Sequence, residues 1–119
     1  MFRVAILDDH DDTRLLLRLW LEGEYDISDY SHPEHLLADL SAKNFHLLLI
    51  DLKLRSASGS EVLKTMKTMP ARPRPVVIAL MSSAFHSDRE RAITIGFDDF
   101  IVKPIDAEKL QATIRKYLR

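Results

Sequence analysis

Cysteine is absent from the 119 residues, which excludes disulfide staples, thiolate metal sites and cysteine nucleophiles. Glycine (3) and proline (5) are scarce while hydrophobic residues make up 46%, so disordered, collagen-like and low-complexity classes are excluded as well. Neither sign of charge dominates. Seventeen basic residues face 18 acidic ones for a formal net charge of −1, so no global field draws the chain to nucleic acid or an anionic membrane, and any partner must be recognised locally. No apolar run approaches the roughly 20 residues that span a bilayer, and acids follow the first apolar run where a signal peptide would stay apolar. The expectation is one globular domain over residues 1–119, located in the cytoplasm, with no membrane partner and no direct nucleic-acid binding.

What is present is a set of short apolar runs: Val4-Ala5-Ile6-Leu7, Leu47-Leu48-Leu49-Ile50, Val76-Val77-Ile78-Ala79-Leu80 and Phe100-Ile101-Val102. They do not alternate, which predicts strands buried on both faces, as in a parallel sheet covered by helices. A polar, alternating fifth run, Tyr25 to Tyr30, suits an edge. Helical spacing fills the intervals: Thr13 to Glu22, Pro33 to Lys43, Ser60 to Met69, a segment from Ser87 to Gly96, and a last helix capped by Asp106. Five β-α units in strict alternation predict an α/β sheet with helices on both sides. Three prolines between Pro70 and Pro75 stop the third helix, and Arg72 and Arg74 between them are read as solvated.

In such a sheet the strand ends converge on one edge. Asp8-Asp9 follow the first strand, Asp51 ends the third, Met81-Ser82-Ser83 end the fourth, and Lys103-Pro104 follow the fifth. Three converging carboxylates repel one another unless a cation neutralises them, and hard oxygen donors suit Mg²⁺ better than zinc or copper. An Asp carboxylate can attack phosphorus while Mg²⁺ and an ammonium hold the phosphoryl oxygens. Asp51, alone at its strand end, is the natural nucleophile.

These residues resemble the response-regulator receiver domains of two-component signalling. The resemblance rests on Asp8-Asp9, on Asp51, on Gly59 eight positions later, on Phe100, and on Lys103-Pro104 52 residues after Asp51. It covers essentially the whole chain. It implies a flavodoxin-like (βα)5 fold with strand order 2-1-3-4-5, acting as a phosphoacceptor rather than an enzyme. Its partners would be a sensor histidine kinase or phosphotransfer protein and an unknown downstream effector. A homodimer through the fourth helix, fifth strand and fifth helix is a habit of the family.

Residue by residue, the resemblance implies that Asp9 and Asp51 ligate Mg²⁺ directly, that Asp8 acts mainly through water, and that Lys53 offers its backbone carbonyl. Lys103 would pair with the phosphoryl group, the peptide before Pro104 would be cis, and Phe100 would be a rotameric switch. Two positions depart from the family pattern. Arg55 stands where a proline is common, and Met81 stands where a Thr or Ser donates a hydroxyl, so Ser82 must substitute or the contact is missing. Blander readings compete: a helix-capping acidic loop, with Asp11 and Asp12 as caps, a surface ion pair for Lys103, and core packing for Phe100. Ser56, Ser58 and Ser60 read as turn and cap residues. The five histidines (10, 32, 35, 46, 86) show no ligand spacing, although His10 adjoins the site.

Other functions fit less well. A dehalogenase-type phosphatase needs a second Asp where Lys53 stands, and a flavodoxin-like cofactor protein needs a Gly/Ser/Thr-rich phosphate loop where this chain has acids. A degenerate receiver that docks partners without phosphorylation is the nearest alternative, kept alive by Met81.

Overall fold

Side chains that alternate along a strand must be apolar on both faces when helices cover both sides of the sheet. The three central strands of this chain meet that condition. The computed structural model, which describes residues 1–54, 57–70, 73–82 and 86–119, contains ten elements in strict alternation. They are β1 (Arg3–Leu7), α1 (Asp11–Leu21), β2 (Asp26–Tyr30), α2 (Pro33–Lys43), β3 (Leu47–Asp51), α3 (Gly59–Lys67), β4 (Val76–Met81), α4 (His86–Ile95), β5 (Asp99–Val102) and α5 (Ala107–Tyr117). Arg55, Ser56, Arg72 and Ser83 lie outside the described residues.

All four strand pairings are parallel and the order is β2-β1-β3-β4-β5, the doubly wound arrangement expected from the sequence. The polar run becomes edge strand β2, and β5 forms the other edge. The core splits by strand parity. Val4, Ile6, Leu47, Leu49, Ile78 and Leu80 pack with Leu17 and Leu21 of α1 and Leu110 and Ile114 of α5. Ala5, Leu7, Leu48, Ile50, Val77 and Ala79 pack with Leu36 of α2, Val62 and Leu63 of α3 and Ala92 of α4. Burying each such Leu or Ile contributes roughly 1.5–3 kcal/mol, so a register slip of one residue would forfeit both cores together.

Helix starts differ locally from the sequence expectation. Asp11 and Asp12 lie inside the first turn of α1 and are not its caps; the N-cap is His10, whose extended backbone (φ −94°, ψ 118°) starts the helix just after it. Their carboxylates still suit the positive end of the helix dipole. Helix α3 is capped by Ser58, whose hydroxyl accepts from Glu61 N, and Ser87 falls within the first turn of α4. Asp106 caps α5 as expected, accepting from Lys109 N at 3.0 Å.

Candidate functional site

Charged groups are rarely buried without a partner, because desolvation costs several kcal/mol per ion. Among the described residues Asp8 (0% exposed) and Asp51 (4%) are the buried charged ones, and both lie at the C-terminal edge of the sheet. Backbone geometry holds them there. Asp8 N donates to Tyr30 O of β2, and Arg14 Nη1 of α1 donates to Asp8 O at 2.8 Å. Arg14 and Arg18 also bond Asp29 on β2, each Nε at 3.1 Å, a brace that sequence spacing did not reveal.

Asp51 is fixed from the other side. Lys53 N donates to Asp51 Oδ1 at 3.1 Å, and Gly59 N closes the loop onto Leu52 O. A Cβ on Gly59 would lie 2.7 Å from Asp51 O and 2.9 Å from Leu52 Cα, so the start of α3 can approach the Asp51 backbone only as glycine. The Lys53 side chain is exposed.

Lys103 enters from the end of β5, where its N–H donates to Met81 O at 2.6 Å and its peptide bond to Pro104 is cis. Its ammonium reaches Asp8 Oδ2 at 2.9 Å and Asp51 Oδ2 at 3.4 Å, joining residues 95 and 52 positions away. His10 Nδ1 closes the cluster at 2.9 Å from Asp8 Oδ1, 3.2 Å from Asp9 Oδ1 and 3.9 Å from Asp51 Oδ2.

The electrostatics follow from that packing. Burial foremost pushes the Asp51 carboxyl above its ordinary value; the Lys53 N–H opposes this, the Asp8 charge adds to it, and Lys103 opposes it. For Lys103, burial works downward, but the hydrogen bond and charge of Asp8, then Asp51, outweigh it and hold the ammonium above the ordinary lysine value. Three ionised carboxylates against one ammonium leave the cluster two charges negative. Its donor set of Asp8, Asp9, Asp51 and His10, with ligand atoms within 4.8 Å of one another, fits a divalent cation. Asp9 and His10 border a solvent-open groove that also includes Ser31 and His32, a path by which an ion could enter.

The other expected residues lie nearby. Met81 is buried on the same face of the sheet as Phe100, which is half-buried and carries the Arg89 guanidinium 5.3 Å from its ring centroid. Ser82, just past β4, is exposed.

The model of the response regulator receiver domain matches residues 4–115. The chain belongs to that family. It is 28% identical over 118 residues to the phosphate regulon transcriptional regulatory protein PhoB of Rhizobium meliloti, covering 98% of this chain and 52% of that protein. The chain spans about half the length of the curated relatives it matches first. Among solved structures it is similar to the BeF3-activated receiver domain of DrrB from Thermotoga maritima, with TM-score 0.87 and 25% identity, covering 99% of this chain and 97% of that one. It also shares its fold with the Ssk1 receiver domain of Saccharomyces cerevisiae co-crystallised with the phosphotransfer protein Ypd1 (TM-score 0.88, 20% identity, 98% of this chain and 88% of that one). A receiver domain of the two-component response regulators is thus what the fold and the family together establish.

Proposed function

We propose that this receiver domain accepts one phosphoryl group on Asp51 in a Mg²⁺-dependent reaction and so switches a partner-binding face. The observation that carries the reading is the Lys103 ammonium bridging the buried carboxylates of Asp8 and Asp51. Asp9, Asp51 and the Lys53 carbonyl would hold the metal, with Asp8 acting mainly through water. The reading of Asp8 is supported by its hydrogen bonds, since Oδ2 accepts from Lys103 and Oδ1 accepts from His10 N at 2.9 Å. When bound, Mg²⁺ supplies charge neutralisation at the phosphoryl oxygens and favours the ionised, nucleophilic form of Asp51 that burial opposes.

Asp51 attacks phosphorus, the bond from phosphorus to the donor's leaving atom breaks, an imidazole nitrogen in a phosphohistidine donor and an oxygen in acetyl phosphate, and the donor departs with that electron pair. Lys103, already 3.4 Å from Asp51 Oδ2, pairs with the incoming phosphoryl oxygens. The chain assists this transfer to itself and turns over no separate substrate. A sensor histidine kinase or phosphotransfer protein would be the donor, in a cytoplasmic setting; the Ypd1–Ssk1 pair shows that a receiver of this fold can engage such a protein. A downstream effector, and a homodimer through α4, β5 and α5, belong to the same proposal.

Met81 favours a second reading, a degenerate receiver that docks partners without phosphorylation, because a buried thioether offers no hydroxyl to the phosphoryl group. Acetyl phosphate separates the two readings. The first expects one added phosphoryl group with Mg²⁺ and none when a chelator removes the metal, read by intact mass; no labelling in either condition favours the docking module.

Met81 also sets the strength of the switch. A hydrogen bond to a charged group contributes roughly 1.5–3 kcal/mol, so its loss from the active state alone lowers the active-to-inactive ratio about tenfold or more. Met81→Thr should therefore raise the active population, followed by NMR shifts around Phe100 with beryllium fluoride as the phosphoryl mimic. If Met81→Thr changes nothing while Ser82→Ala abolishes the response, Ser82 supplies the hydroxyl and the weakened-switch account fails.

A further inference from the structure

A cavity of about 210 Å³ opens at the N-terminal edge of the sheet, the edge opposite Asp51. Its floor includes Phe45, Leu63 and Val77, which are buried, and its walls include Met66 and Met69, which are half-buried. An apolar cavity of about 150 Å³ is enough for benzene and drug-sized sites begin at about 300 Å³, so this one suits one or two fused rings. Pro70, Pro73 and Pro75 line it as well. Proline fixes its own backbone torsion and pushes the residue before it toward an extended conformation, so these positions lose little freedom when a ligand binds.

The charged side chains at this cavity are Lys67 and Arg74 against Asp98. The Lys67 ammonium gives one hydrogen to Ile95 O at 2.7 Å and has two left to donate. Arg74 is exposed, and no carboxylate among the described residues pairs with it. Asp98 is already engaged, its Oδ2 accepting from Val77 N at 2.8 Å, and its charge disfavours a doubly charged phosphate. Two cations against one acid leave a single positive charge, the complement of one carboxylate.

We propose that this cavity is a binding site for a small aromatic monocarboxylic acid, with its ring packed on Met66 and Met69 and its carboxylate on Arg74 and Lys67. The two thioethers favour an aromatic body over an aliphatic one, because polarisable sulfur packs well against a ring edge. The site needs nothing from the phosphoacceptor chemistry at Asp51, which lies at the other end of the parallel strands.

Titration of the protein with 2-naphthoate, followed by methyl and amide NMR shifts, tests the site, with 2-naphthamide as an uncharged probe of the same shape. The expected result is saturable binding of 2-naphthoate with a Kd of about 1 mM or tighter, the affinity that ordinary ligand efficiencies give a two-ring acid. The largest shifts should fall on the methyls of Leu63, Met66, Met69 and Val77. Arg74→Gln, at an exposed position that the fold does not need, should weaken 2-naphthoate about fivefold or more and leave 2-naphthamide unchanged. Met69→Glu, which puts a carboxylate in the apolar wall, should weaken both probes about tenfold or more; if that variant fails to fold, the Arg74→Gln comparison decides. The site is refuted by no saturable binding to wild type, by largest shifts away from those methyls, or by equal affinity for acid and amide. Wild-type binding of 2-naphthoate by Arg74→Gln or by folded Met69→Glu refutes it as well.

Discussion

Asp9→Ala is expected to lower Mg²⁺ affinity about a hundredfold or more, whereas Lys103→Ala keeps Mg²⁺ binding and loses the response to the phosphoryl group. The division follows from chemistry and position. A carboxylate is a ligand for a hard cation and an ammonium is not, and the Asp9 side chain, 10% exposed, borders the groove that an ion would enter. Lys103 instead sits between Asp8 and Asp51, where its charge offsets theirs.

Removing that ammonium also leaves the buried Asp8 carboxylate without its cation. Breaking a buried pair costs roughly 3–5 kcal/mol, and the 22% exposure of the Lys103 side chain brings the expected loss toward or below the lower end. Thermal melts should therefore show Lys103→Ala destabilised in a chelator and largely recovered by Mg²⁺, which binds the folded cluster. Calorimetry gives the affinities. If Lys103→Ala weakens Mg²⁺ binding as severely as Asp9→Ala, the two residues do not divide the work in this way.

The sheet was legible because Leu47 to Ile50 and Val76 to Leu80 are apolar without alternation, a pattern that burial on both faces requires. Once those strands are placed, the convergence of Asp8, Asp51 and Lys103 follows from topology alone, since parallel strands end on one edge. Asp106 was legible as a cap because its side chain bonds the backbone three residues on, a purely local contact.

Asp11 and Asp12 misled for the same reason: acids before a helix read as caps, yet the extended backbone that starts α1 belongs to His10. The position of the His10 ring was not legible, because adjacency to Asp9 says nothing of which way a side chain turns. The Arg14 and Arg18 brace to Asp29 escaped notice because it joins α1 to the edge strand through ordinary helix-surface arginines, with no spacing to mark it. For Ser82, chain order does not say which way a hydroxyl beside Met81 turns, and the structure places Ser82 exposed just past β4 while Met81 is buried.

Asp51 is expected to be the phosphoacceptor. Its carboxylate combines burial, a hydrogen bond from Lys53 N that fixes one oxygen, and the Lys103 ammonium beside the other. Asn at this position keeps the shape but has an amide in place of the attacking carboxylate, so no acyl-phosphate bond can form. Intact-mass measurement after exposure to acetyl phosphate and Mg²⁺ decides the matter: one phosphoryl group on wild type and none on Asp51→Asn is the predicted result, and equal labelling of the two proteins would contradict it.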